Sequence, residues 1–214
     1  VQAYRQALAD RALPDPIDAD ADLAYLEEHG PAAVERARAG LERVATLVRA
    51  MTEFGQPAQR DKAWTDLNRA IETTLTVTAA EYDRIADLEL ELGELPVIMC
   101  HPGELNQVFL HLIINAAHAI DEARTPPARG TIRIKTWSEP GAVLISVHDN
   151  GGGIPEAIQS RVFDPFFTTK AVGRGIGQGL AIARSIVVDR HGGTLTFETA
   201  VGRGSTFLVR LPRS

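Results

Sequence analysis

Three pieces of sequence decide the fold. Asp149-Asn150-Gly151-Gly152-Gly153 comes first, then Phe163-Asp164-Pro165-Phe166-Phe167-Thr168-Thr169-Lys170, then Gly173-Arg174-Gly175-Ile176-Gly177-Gln178-Gly179-Leu180. By itself Asp-Asn-Gly is ordinary turn chemistry. At the end of a strand, however, the Asp is a strong acceptor for an exocyclic amine, and glycines let a flat ring approach the backbone. The alternating glycines allow a mobile loop and a nest of amides for phosphate oxygens. A helix starting near Gln178 would point its N-terminal amides at an anion. Lys170 and Arg174 add charge: residues 161–190 hold five basic residues (Arg161, Lys170, Arg174, Arg184, Arg190) against Asp164 and Asp189. A Walker loop needs Gly-Lys-Ser/Thr, which is missing, and a dinucleotide fold needs its glycines straight after the first strand of a βαβ unit.

Outward from this region the pattern is α/β. Trp64 to about Ala80 reads as a helix. Arg84 to Leu92 alternates, placing Ala86, Leu88, Leu90 and Leu92 on one face, and so predicts a half-buried strand. Val97 to Cys100 is a short apolar strand, and Pro102 suits the first turn of a helix running to about Arg124. Thr131–Thr136 and Val143–His148 flank Pro140-Gly141 as a hairpin. A helix from about Gln178 to Arg190 stops at His191-Gly192-Gly193. Thr194–Glu198 and Thr206–Leu211 form a last hairpin around Gly202-Arg203-Gly204. These elements predict a two-layer α/β sandwich with a mixed sheet.

On the helix from Pro102, His111, Asn115 and His118 share one face, while Leu105, Phe109, Leu112 and Ala116 form an apolar face. Three readings of the polar stripe stand side by side. The histidines are surface residues, or they bind a transition metal, for which Asn is a poor companion. Alternatively Asn115 offers its amide oxygen to a hard cation such as Mg²⁺.

Composition narrows the classes. The 214 residues carry a net charge of −6, so a broad basic surface for nucleic acid is not expected. No run of eighteen apolar residues exists, so no membrane contact is expected within the chain. A single cysteine, Cys100, excludes an internal disulfide framework and fits a reducing, cytoplasmic compartment. Twelve of the eighteen glycines fall between Gly141 and Gly204, which concentrates the backbone chemistry in the second half.

In order, Asn115, Asp149-x-Gly151-x-Gly153, Phe163-x-Pro165-Phe166, Gly175-x-Gly177-x-Gly179-Leu180 and Gly202-x-Gly204 resemble the N, G1, F, G2 and G3 boxes of sensor histidine kinases. The resemblance covers about residues 60–212. It implies the Bergerat (GHKL) ATP-binding fold, with ATP and Mg²⁺ as cofactors. It also implies that Asn115 holds the metal, Asp149 binds the adenine amine, and Gly151 and Gly153 bound the adenine pocket. Residues 161–178 would form the ATP lid. Lys170, Arg174 and the amides of Gly175, Ile176, Gly177, Gln178, Gly179 and Leu180 would hold the phosphates, with Thr206 assisting Asp149. His118, Ile154 and Phe166 complete the expected nucleotide-binding set, and His111, Asn115 and Lys170 are the candidate catalytic residues.

Residues 1–56 resemble part of the dimerisation and histidine-phosphotransfer helices of the same kinases, with the catalytic domain expected over 57–214. A long helix is expected from Gly30-Pro31 to about Phe54, where Val34, Ala37, Leu41, Val44, Val48 and Met51 trace a heptad seam. An amphipathic helix lying on its own domain would give the same pattern. Gly55-Gln56-Pro57 reads as a linker. The implied partners are ATP, a histidine-bearing dimerisation helix of the same protein, a response regulator, and a second subunit in a homodimer.

The sequence departs from the family pattern in two places. None of the six histidines, His29, His101, His111, His118, His148 and His191, has the phosphoacceptor context of a following acidic residue and a proline four positions on. The acceptor is therefore expected upstream of Val1. Position 111 is His, where many members of the resembled family carry Asn and gyrase-like ATPases carry a water-activating Glu, and phosphoryl transfer to a side chain gains nothing from such a base. Another GHKL-type ATPase, an anti-sigma serine kinase and a nucleotide-binding pseudokinase are the rival readings.

Overall fold

The computed structural model describes residues 29–36, 38, 61–123, 128–170 and 176–213. The chain forms two compact units, Val1–Met51 and Thr52–Ser214. In the first, residues 29–36 are helical, and the rest of the expected heptad seam beyond Val34 lies outside the described residues.

The second unit begins with β1 (Ala63–Thr65), α1 (Leu67–Tyr82), β2 (Ala86–Leu92), β3 (Ile98–Cys100) and α2 (Pro102–Ala123). The hairpin β4 (Gly130–Glu139) and β5 (Ala142–Asp149) follows, then a single turn, α3 (Glu156–Gln159). Next comes α4 (Gly179–Ser185), which continues as a π-turn over Ile186–Arg190, and the hairpin β6 (Thr194–Ala200) and β7 (Gly204–Pro212) closes the chain. The five-stranded sheet runs β2-β4-β5-β7-β6. Only β2–β4 is parallel, because α2 lies between them in sequence and provides the crossover that parallel strands need. The mixed sheet and two layers are as expected.

Alternation along the strands sorts the two faces. Ile132 and Ile134 of β4, Val143, Ile145 and Val147 of β5, and Phe207, Val209 and Leu211 of β7 share one core with the helices. That core includes Leu67 and Ile71 of α1, Leu105, Phe109 and Leu112 of α2, and Ile182 and Val187. Burying about thirty such side chains at about 25 cal/mol per Å² supplies the main driving force for the domain. The opposite face carries charge: Arg133 meets Glu89 at 2.6 Å and Lys135 meets Glu91 at 3.1 Å. These pairs are half-exposed, so they contribute little to stability.

Four local expectations are corrected. The helix expected from Trp64 starts at Leu67, because Asp66 caps it by accepting from the Arg69 N–H at 3.2 Å. Ala63–Thr65 instead pairs antiparallel with β3 in a separate two-stranded ribbon. Leu90, expected on the buried face, is 44% exposed, since β2 is an edge strand. The helix expected to run unbroken to Arg190 changes to π geometry at Ile186. It ends where Gly192, at φ +64°, bonds Val188 O and Gly193 bonds Val187 O.

Candidate functional site

Asp149 ends β5 with its side chain toward the helices and is 1% exposed. Its Oδ1 accepts the Gly151 N–H at 2.9 Å. Burial pushes its carboxyl above the usual range, while the Gly151 amide, His148 and the Ser205 amide pull it back. A buried carboxylate with spare acceptor capacity must find donors or stay costly.

The glycine loop beside it is held by backbone on both sides. Gly152 N–H reaches Ala119 O of α2 at 3.4 Å, and Gly202 N–H reaches Gly152 O at 2.8 Å. Gly153 has φ +70°, and a Cβ there would run into the Ala200 carbonyl. Gly204, at φ +96°, would drive a Cβ into the Asp149 carbonyl. Both positions demand glycine on conformation and on space. The Ile154 N–H bonds Thr199 Oγ1 at 2.9 Å, and the Ile154 side chain packs against the core.

Thr206, expected to assist Asp149, does not stand beside it. Asp149 registers with Ser205, and His148 with Thr206. Faces alternate along a strand, so Thr206 points to the opposite side of the sheet, where its hydroxyl shares a 2.9 Å hydrogen bond with His148 Nδ1. Ser205, 4% exposed, is the residue that the register sets beside Asp149, and sequence reasoning did not name it. The available signal was the pairing register, which puts the residue after Gly204 next to the strand-end Asp.

α2 presents His111, Asn115 and His118 on the expected face, each partly buried. Lys170 Nζ donates to His118 Nδ1 at 2.8 Å, which fixes a neutral His118 as the acceptor. Burial lowers the proton affinity of His118, and the Lys170 charge lowers it further; burial also lowers that of Lys170. A pocket opens here between His118, Asp121, Glu122 and Lys170. Burial pushes His111 down to about 4, so it is neutral at physiological pH. The first turn of α4 rests on its ring: a Cβ on Gly179 would lie 3.2 Å from His111 Nδ1.

The aromatic segment divides. Phe163 packs on the core, edge-on to Phe197 with centroids 5.8 Å apart, and Phe167 lies under the Arg161 guanidinium at 4.3 Å. Phe166, expected in the nucleotide-binding set, is 65% exposed at φ +66°. Its left-handed backbone turns the side chain outward. Of the expected phosphate cradle, Ile176, Gly177, Gln178, Gly179 and Leu180 are half-buried in sequence order at the start of α4. Arg174 and Gly175 lie outside the described residues.

The domain thus holds a buried acceptor behind a glycine wall at the end of β5, and a lysine against His118 beside a small pocket on α2. The family of histidine kinase-, DNA gyrase B-, and HSP90-like ATPases matches residues 100–214. The chain belongs to this family.

It is homologous to sensor histidine kinases. It is 35% identical over 178 residues to the signal transduction histidine-protein kinase AtoS of Escherichia coli K12, covering 80% of this chain and 27% of AtoS. It is 37% identical over 174 residues to the sensor histidine kinase ZraS of the same strain, covering 80% of this chain and 35% of ZraS. The chain thus spans about a third or less of the length of these relatives. The solved catalytic domain of the histidine kinase ThkA superposes with a TM-score of 0.61 at 28% identity, over 72% of this chain and 98% of that one. The histidine kinase ATP-binding fold expected from the sequence is therefore the fold of this domain.

Proposed function

We propose that the chain is the ATP-binding catalytic part of a two-component sensor histidine kinase. The observation that carries this is Asp149, a buried carboxylate at a strand end with one oxygen held by Gly151 and the glycine wall beside it. An adenine amine supplies the donor that Asp149 is built to receive. Ser205 stands next to it to bond the ring edge directly or through water.

At the other end the phosphates would meet Lys170, Arg174 and the amides at the start of α4. Asn115 lies on the same α2 stripe, and its amide oxygen is the hard donor Mg²⁺ prefers. Among the described residues no group of three His, Cys, Asp or Glu side chains forms a metal site. This donor set fits an ion shared between Asn115, the phosphates and water rather than one caged by protein. When bound, Mg²⁺ neutralises phosphate charge. The protein's own work is positioning and excluding water.

In the reaction, the bond from the γ-phosphorus to the β,γ-bridging oxygen breaks and a phosphorus–nitrogen bond forms on the acceptor imidazole. ADP leaves, and the imidazole proton passes to solvent. His111 supports transfer over hydrolysis, since an imidazole held to about 4 is a poor base for activating water at neutral pH. On this reading residues 1–56 belong to the dimerisation helices of a homodimer, the acceptor is a histidine outside this chain, and a response regulator takes the phosphoryl group in the cytoplasm. No helix among the described residues is long and apolar enough to cross a bilayer.

The test is radiolabelling. This chain is expected to bind Mg-ATP and to acquire no acid-labile, base-stable label alone. Adding a fragment that carries the upstream helix restores labelling in trans, and Asn115→Ala or Asp149→Ala abolishes it. Acid-labile label on the isolated chain would place the acceptor among its own six histidines and overturn the assignment.

A further inference from the structure

Two buried polar atoms beside α4 lack partners, and they complement each other. His111 Nε2 is buried with no hydrogen bond, and so is Gln178 Oε1. Leaving either unpaired in a buried site is costly, so each needs a physical reason. The two belong to adjoining groups. Gln178 is the N-cap residue of α4 and directly precedes Gly179, and a Cβ on Gly179 would touch the His111 ring at Nδ1 and Cγ, 3.2 and 3.3 Å away. No side chain at position 179 separates the imidazole from the helix start.

The chemistry of the pair is matched. His111 is neutral, so one ring nitrogen carries a hydrogen and the other a lone pair. Nδ1 holds no hydrogen bond beside Gly179, so nothing commits the ring hydrogen there and the Nε2–H tautomer is open to donate. An amide oxygen accepts. Gln178 makes no side-chain cap to its own helix, so its amide is not committed there. Its backbone carbonyl takes the Ile182 N–H at 2.9 Å, which fixes the residue to the helix while the side chain stays uncommitted.

We propose that His111 Nε2–H and Gln178 Oε1 pair when nucleotide binds, making His111 a positioning residue that seats the start of α4 and aims its first amides at the phosphates. This rests on the kinase reading of the site and refines it: His111 leaves the catalytic set and acts through Gln178. The pair links α2, which carries Asn115 one turn further on, to the amide row, so both sets of phosphate contacts are fixed relative to one another. A helix start held by one added hydrogen bond costs less to order around a ligand.

The experiment uses the whole 214-residue chain. Calorimetry measures ATP and adenosine binding, with Mg²⁺, for the unsubstituted chain, Gln178→Leu, His111→Phe and the double variant. Melting curves check folding, and His111→Leu replaces His111→Phe if that variant does not fold. Each single substitution is expected to weaken ATP by about tenfold and the double variant by no more than either, because the same bond is lost once. Adenosine binding stays within about twofold, since the pair serves only the phosphate end. In the unsubstituted chain with ¹⁵N-histidine, a non-hydrolysable ATP analogue with Mg²⁺ brings up a protected Nε2–H resonance, and Gln178→Leu removes it. Additive losses, equal losses for adenosine, or no Nε2–H signal on saturation would overturn the pair while leaving the kinase reading intact. Failure of the unsubstituted chain to bind ATP at all would overturn that reading and the pair with it.

Discussion

The two ends of the candidate site are built from different materials. At the Asp149 end, backbone leans on backbone: Gly152 bonds Ala119 and Gly202, and Gly153 and Gly204 pass so close to neighbouring carbonyls that no side chain fits. At the Lys170 end, side chains make the contacts: Lys170 rests on His118, Phe166 turns outward at positive φ, and His111 and Gln178 keep unpartnered atoms. The first end is finished before any ligand arrives. On the kinase reading, the second would be completed only when phosphate charge arrives. Base recognition would then be preformed and phosphate recognition conditional, as suits a site that holds ATP and passes on a phosphoryl group.

The largest break in that comparison comes from Asp149→Asn. The new amide presents donors to the adenine amine, so ATP and adenosine are both expected to lose at least about a hundredfold in affinity by calorimetry. In the unsubstituted chain GTP is expected to bind far more weakly than ATP, because guanine offers an oxygen where Asp149 needs a donor. Equal ATP and GTP affinity would refute a preformed base end.

The same variant carries a second, opposite expectation. Burial holds the Asp149 carboxyl above its ordinary range, so the native state binds that proton more tightly than the unfolded chain does. Its contribution to stability is present below the ordinary Asp pKa and is lost as pH rises through the raised value. At neutral pH the ionised form is a net cost. Asp149→Asn is therefore expected to raise the melting temperature at pH 7 while destroying binding, and to bring no such gain at pH values below the ordinary carboxylate range. A lower melting temperature at pH 7 would mean the carboxylate is fully compensated within the protein.

Lys170→Ala separates the two ends. ATP affinity is expected to fall about tenfold with the loss of a half-buried cation, and the loss shrinks at high salt. Adenosine affinity is expected not to change. A matching loss for adenosine would show that the ends are not independent.

The smallest effect sharpens the base end. Ser205→Ala is expected to weaken ATP by a few-fold, about the worth of one neutral hydrogen bond, while Thr206→Val leaves it within about twofold. The reverse ranking in the same titrations would contradict the strand register.

Much of this was legible in the residues because periodicity carries it. His111, Asn115 and His118 fall on one helical face whatever the tertiary structure, and the hairpin around Pro140-Gly141 declares both its strands. What stayed hidden depends on distant partners. Ala63–Thr65 is a strand only because Ile98–Cys100 lies beside it. Choosing Ser205 over Thr206 needs the β5–β7 register, in which one residue reverses the face. The outward turn of Phe166 and the tautomer of His118 follow from single backbone and side-chain contacts that no local pattern encodes.

The π-turn at Ile186–Arg190 has a consequence for how this chain tolerates insertions and deletions. His191, just after it, accepts the His101 N–H at Nε2 and meets Ile186 O through Nδ1, so the wide turn is tied to the start of α2. Removing one residue between 186 and 190 would look like tidying an irregular helix. It would instead swing His191 by about 100° around the axis and start β6 one position out of phase. Leu195 and Phe197 would then trade places with Thr194 and Thr196, and the last hairpin would offer its threonines to the core. The apparent irregularity is a spacer one residue long, and the alternation of the closing strands is counted from it.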